Sequence, residues 1–171
     1  MESKSRKYLK TFLVPGLALL ALIVFAVVIS GGKNARGREI GGMIVTLPEG
    51  FSCSYSDSRY SVWKYKGTDQ KPGTLILDED IRDDQARNFA TVEDVIERCD
   101  WFMDRELYVN PHGVRMARGY TDYSGTRELR YYVENAGSVF LMCMNMDSRF
   151  YNPDDCEAAM LETAESIRPK R

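Results

Sequence analysis

A chain of 171 residues with 44% hydrophobic and 11% aromatic side chains has a globular composition, which excludes an intrinsically disordered protein. Setting aside the first 38 residues leaves 133, enough for one domain with its own core and too few for two. The formal charge of −2 is uneven: from Glu39 onward 16 bases face 24 acids. An acidic domain repels phosphate backbones, so no nucleic-acid partner is expected.

Residues 1–11 form a short tail carrying Lys4, Arg6, Lys7 and Lys10. Phe12–Ile29 follows, 18 residues without a charge, ~27 Å long as a helix against a hydrocarbon core of ~30 Å. Pro15 and Gly16 fall in the first turn, where a missing N–H costs little. The run predicts a transmembrane signal anchor over residues 12–30. No Ala-x-Ala pattern stands at its end, which favours retention over cleavage after Ser30, and no Cys follows closely to take a lipid. Four bases precede the run and three follow it (Lys33, Arg36, Arg38), so the tail is expected inside the cell membrane and the domain outside. A Gly-rich linker is predicted over 31–42 and the globular domain over 43–171.

Within the domain, Met43–Leu47 reads as a short strand ended by the turn Pro48-Glu49-Gly50. Phe51, Cys53 and Tyr55 alternate with serines as a second strand. Ser61–Lys66 puts Trp63 and Tyr65 on one face and Lys64 and Lys66 on the other. Thr74–Leu77 is apolar on both faces, which predicts a central strand. Thr91-Val92-Glu93-Asp94 has the form of a capping box. Val92, Val95, Ile96, Cys99, Phe102 and Met103 recur behind it at helical spacing, so a helix is predicted there. After the turn Asn110–Gly113, three strands over 114–123, 126–134 and 138–146 form a meander, with Ser124-Gly125 and Asn135–Gly137 as its loops. Asn152 caps a closing helix, Pro153 suits its first position, and Cys156, Ala159, Met160, Thr163 and Ile167 form its buried stripe.

This order predicts an α+β domain, an antiparallel sheet of about six strands flanked by two main helices. Ile44–Phe51, reading Ile-Val-Thr-Leu-Pro-Glu-Gly-Phe, resembles the opening of the PsbP-like fold. So does a long meander ending in a helix that reads Glu165-Ser166-Ile167-Arg168. That fold includes the extrinsic photosystem protein, Ran-binding nuclear import factors and bacterial exported lipoproteins. The resemblance spans roughly residues 43–168 and implies an α/β/α sandwich with a binding or assembly role. No functional residue carries over from it.

Few chemical motifs are present. His112 is the one histidine, which excludes a zinc site built from several, and neither His-Glu-x-x-His nor Cys-x-x-Cys occurs. Ser61-Val62-Trp63-Lys64 matches Ser-x-x-Lys, but it lies on a strand pattern and its companion motifs are missing. Asp78, Asp80, Asp83 and Asp84 form an acidic cluster. It fails the EF-hand pattern, because Arg82 takes a ligand position and Asp83 the glycine position; it reads as a solvated connection balanced by Arg82 and Arg87. Met142, Met144 and Met146 alternate on one strand face, more in the manner of core filling than of a copper site. Cys53, Cys99, Cys143 and Cys156 are packed thiols or disulfide partners. The apolar setting of the last three favours thiols, and Cys143–Cys156 or Cys53–Cys99 are the bridges to test for.

No catalytic, cofactor-binding or metal-ligating residue is assigned, and no cofactor is expected. The expected function is a membrane-anchored extracytoplasmic binding or assembly module with a protein or glycan partner at the cell envelope. Two alternatives stand beside it: an exported hydrolase working through the acidic cluster, and a small-ligand or cation sensor.

Overall fold

The structure, a computed structural model, describes residues 37–67, 72–81, 85–123 and 125–170. The expected tail and membrane anchor lie outside the described residues. Among the described residues no helix is long and apolar enough to cross a membrane.

In chain order the strands are β1 (Gly37–Ile40), β2 (Met43–Thr46), β3 (Phe51–Ser56), β4 (Tyr60–Tyr65) and β5 (Leu75–Asp78). A 3-10 turn (Gln85–Asn88) and helix α1 (Val92–Arg98) precede β6 (Met103–Val109), β7 (Arg115–Tyr123), β8 (Thr126–Asn135) and β9 (Ser138–Asn145). Helix α2 (Pro153–Ser166) and β10 (Arg168–Pro169) close the chain. One sheet has seven strands in the order β3-β4-β5-β9-β8-β7-β6, and a second has three in the order β1-β2-β10. Every pairing is antiparallel.

The expected α+β domain, with about six strands flanked by two main helices as in a PsbP-like sandwich, is overturned. The described chain is mostly sheet, with ten strands and only two α-helices, of 7 and 14 residues. Three strands were not anticipated. β1 falls in the stretch expected as linker: Gly41 and Gly42, at φ 53° and 72°, supply the two left-handed residues of a tight hairpin turn. β6 begins at Met103, where helical periodicity was expected to continue. Helix α1 stops at its cap, Cys99, because Cys99 takes φ −96° and ψ 89°, outside the helical region. Phe102 still buries beside Cys99 in the same core, so the spacing recorded burial without recording helix. β10 is too short to carry a pattern.

The large sheet is covered on both faces. On one side α1 and the 3-10 turn bury Val92, Val95 and Ala86 with Ala117, Tyr132 and Leu141 of the sheet. On the other, α2 and the small sheet bury Met160, Val45 and Ile40 with Leu129, Tyr131 and Met142. β5 sits between β4 and β9, with Leu75 and Leu77 in one core and Ile76 packed against the other. Met142 and Met144 stand opposite Leu77 and Leu75, filling the α2 side. Gly119 marks a close approach: a Cβ there would lie 2.7 Å from the Met103 carbonyl oxygen and from the Phe102 ring.

The C-terminal end of α2 is fastened twice. Buried Asn110 donates through Nδ2 to the carbonyls of Ala164 (2.9 Å) and Ile167 (2.7 Å), and its Oδ1 accepts from the amides of His112 and Val114. Ser166 Oγ accepts from the Thr46 amide at 2.9 Å, tying the helix to β2. These contacts fix where α2 lies over the sheet.

Candidate functional site

β7 and β8 alternate faces, so Arg118, Tyr120 and Tyr131 all point toward α2. The register aligns Glu106, Arg118 and Tyr131 in one row across β6, β7 and β8. On α2, Pro153, Glu157 and Leu161 recur every four residues, one above another on a single face. Asn152 sets that face by capping the helix, its Oδ1 accepting from the Asp154 amide at 3.0 Å. The result is a seam between α2 and the β6–β8 end of the sheet.

Charged and phenolic groups interlock along this seam. Arg118 pairs with Glu106 at 2.8 Å and with Glu157 at 3.6 Å. Tyr120 Oη donates to Glu157 at 2.8 Å, and the Arg127 guanidinium stacks 4.0 Å over the Tyr120 ring. The Tyr108 ring meets Tyr131 edge-on at 6.2 Å. Two concavities open here and meet at Glu157. One, of about 260 Å³, is lined by Tyr108, Arg118, Tyr131 and Leu161 among others; the second, of about 360 Å³, by Tyr120, Arg127, Asp147 and Pro153.

Tyr131 Oη and Arg118 Nε are both buried in this seam. Arg118 lies beside Tyr131, its guanidinium carbon 6.0 Å from the ring centroid, and interacts with the Tyr131 hydroxyl. Burial pushes the Tyr131 phenol up to about 12, against a smaller lowering by Arg118. The phenols of Tyr108 and Tyr120 are raised too, first by burial and then by Glu165 and Glu157 respectively. All three therefore stay protonated at neutral pH, and the Tyr120 O–H is already given to Glu157.

The residues singled out from the sequence lie elsewhere. Asp78 Oδ1 accepts from the Asp80 amide at 3.0 Å and Asp80 pairs with Arg59 at 2.9 Å, so both are engaged in a turn after β5. Asp83 and Asp84 lie outside the described residues. Among the described residues no group of three or more His, Cys, Asp or Glu could hold a metal ion. Ser61 and Lys64 lie on opposite faces of β4, and Ser61 Oγ accepts from Trp63 Nε1 at 3.0 Å. His112 is exposed in the β6–β7 turn. All four cysteines stand as thiols, Cys53 exposed and the other three buried. Cys143 packs under α1 and Cys156 under α2, on opposite faces of the sheet; Cys53 lies on the edge strand β3 and Cys99 inside the α1 core. Cys156 is held up by burial, and its Sγ accepts from the Gly73 amide at 3.3 Å.

No family model and no curated protein matches the chain. A solved structure of a protein from Bacteroides thetaiotaomicron VPI-5482 aligns with a TM-score of 0.48 at 10% identity, over 78% of this chain and 47% of that one. The chain thus spans about half the length of that protein.

Proposed function

We propose that the chain is a membrane-tethered binding module whose sheet domain faces outward and holds its partner in the α2 seam. The observation that carries the reading is the seam itself, two concavities that meet at Glu157 and are lined by Tyr108, Arg118, Tyr120 and Arg127. The tether rests on the uncharged run Phe12–Ile29 and its basic flanks.

Photocrosslinking in intact cells tests this. A benzophenone side chain at Leu161, exposed on the seam, should give a discrete adduct. The same group at Val109, exposed on the opposite side of the sheet edge, should not. Equal patterns from both positions, or none from Leu161, would refute the seam as the binding surface. External protease should also reach the domain in those cells; complete protection would refute the outward orientation.

A further inference from the structure

Resting on the tether, we infer that the tip of the β3–β4 hairpin docks on the bilayer that holds the chain, its exposed Tyr55 ring lying among phospholipid headgroups. Chain length argues first. Seven residues, 30–36, separate the uncharged run from β1. Seven residues reach at most ~25 Å, so Gly37, the first residue of β1, stays within that distance of the bilayer surface. Arg38 ties this point to the hairpin: its guanidinium donates to the carbonyl of Asp57, in the β3–β4 turn. Whichever way the domain turns, this corner stays close to lipid.

The corner also has the chemistry of a membrane boundary. Tyr55 is 54% exposed and leans on Tyr60, ring centroids 6.1 Å apart. Its hydroxyl donates to the Asp57 carboxylate at 3.2 Å, and Asp57 also accepts from the amides of Arg59 and Tyr60. The polar end is answered within the chain while the apolar body of the ring faces out, the combination that places tyrosine between hydrocarbon and water. Arg59 pairs with Asp80 at 2.9 Å, so the contact does not call for an anionic lipid. One ring binds a free membrane weakly, but a short tether holds it at a high effective concentration. The strand order then gives the contact a use. β3 and β6 are the two edges of the seven-stranded sheet, six spacings of ~4.8 Å or ~29 Å apart. Lipid at β3 leaves the seam at the β6–β8 end turned away from the membrane.

The test is a nitroxide on Cys53 in the full chain, reconstituted into phosphatidylcholine vesicles. Among the described residues Cys53 is the one exposed thiol, two positions from Tyr55, so labelling of the folded chain is selective. Power saturation compares collisions with oxygen, which concentrates in lipid, and with a water-soluble nickel chelate. The oxygen-to-nickel ratio should be several-fold higher at position 53 than at Val109→Cys in a Cys53→Ser background, since Val109 is exposed on the β6 edge. Tyr55→Ser should bring position 53 toward the value at 109, and Tyr55→Trp should keep it high. A label at 53 as open to nickel as the one at 109 overturns the inference, and so does shielding indifferent to Tyr55→Ser. Shielding that fades as chains are diluted among vesicles reports a second copy and overturns it too. A chain that inserts with position 53 in water leaves the tether standing; a chain that does not insert removes both.

Discussion

Asn110 ties the end of α2 to the β6–β7 turn. Its amide reaches two carbonyls at the end of α2 while its oxygen closes the β6–β7 turn. Asn110→Asp keeps the shape but turns the two-donor end into a carboxylate oxygen facing two carbonyls. We expect a loss of about 3 kcal/mol in urea unfolding, at the upper end for a buried hydrogen-bonded group. Tyr131 gives a second residue-level expectation. Its folded phenol lies near 12, above the ordinary tyrosine value of 10.0. A raised folded value means its stabilising contribution is complete below pH 10 and is lost as pH rises through 12. Alkaline titration followed by phenolate absorbance should show a late-titrating group that Tyr131→Phe removes. Neither residue stood out in the sequence. Asn110 reads there only as a turn former, and Tyr131 as one of several tyrosines on an alternating strand. Alternation does place Arg118, Tyr120 and Tyr131 on one face, but only the packing of α2 shows that Glu157 meets them.

Elements differ in how plainly they were written. β4 and the β7–β8–β9 meander followed from alternation and from the Gly-containing loops, β5 from a run apolar on both faces, and both helix starts from their caps. Thr91 and Asp94 form the anticipated reciprocal box at the head of α1, the Asp94 amide reaching Thr91 Oγ1 at 3.3 Å. Thr91→Ala should cost about 1 kcal/mol in denaturant unfolding and speed amide exchange at Val92–Asp94. The Thr91 hydroxyl, first among several hydrogen bonds, holds the Asp94 carboxyl below its usual range. Its share of the cap is therefore present above the ordinary aspartate value and fades as acid carries the pH through the lowered one. The strands that escaped notice were short, charged or masked by helical spacing. β6 is charged at its centre, and it bulges between Met103 and Glu106, with Asp104 at φ 50°. The other edge strand, β3, is irregular between Cys53 and Tyr55. Irregularities at both rims, and charge along β6, discourage a further strand from adding to the sheet.

At the scale of the whole molecule, the surprise was the proportion of sheet. The helical patterns suggested two main helices flanking about six strands, whereas helices of 7 and 14 residues are covers on a broad antiparallel surface. Periodicity tells which residues bury, and the count of strands depends on where brief segments find neighbours far along the chain. β5 finds its inner neighbour in β9, pairing Ile76 with Cys143. β2 completes its own pairing only with β10, where Arg168 lies opposite Ile44. A strand from the beginning of the domain is thus flanked on one side by a strand from its very end. The small sheet therefore waits for β10 and the large one for β9 to reach β5, so both depend on contacts far apart in sequence, which makes folding slower than a chain of local contacts would allow.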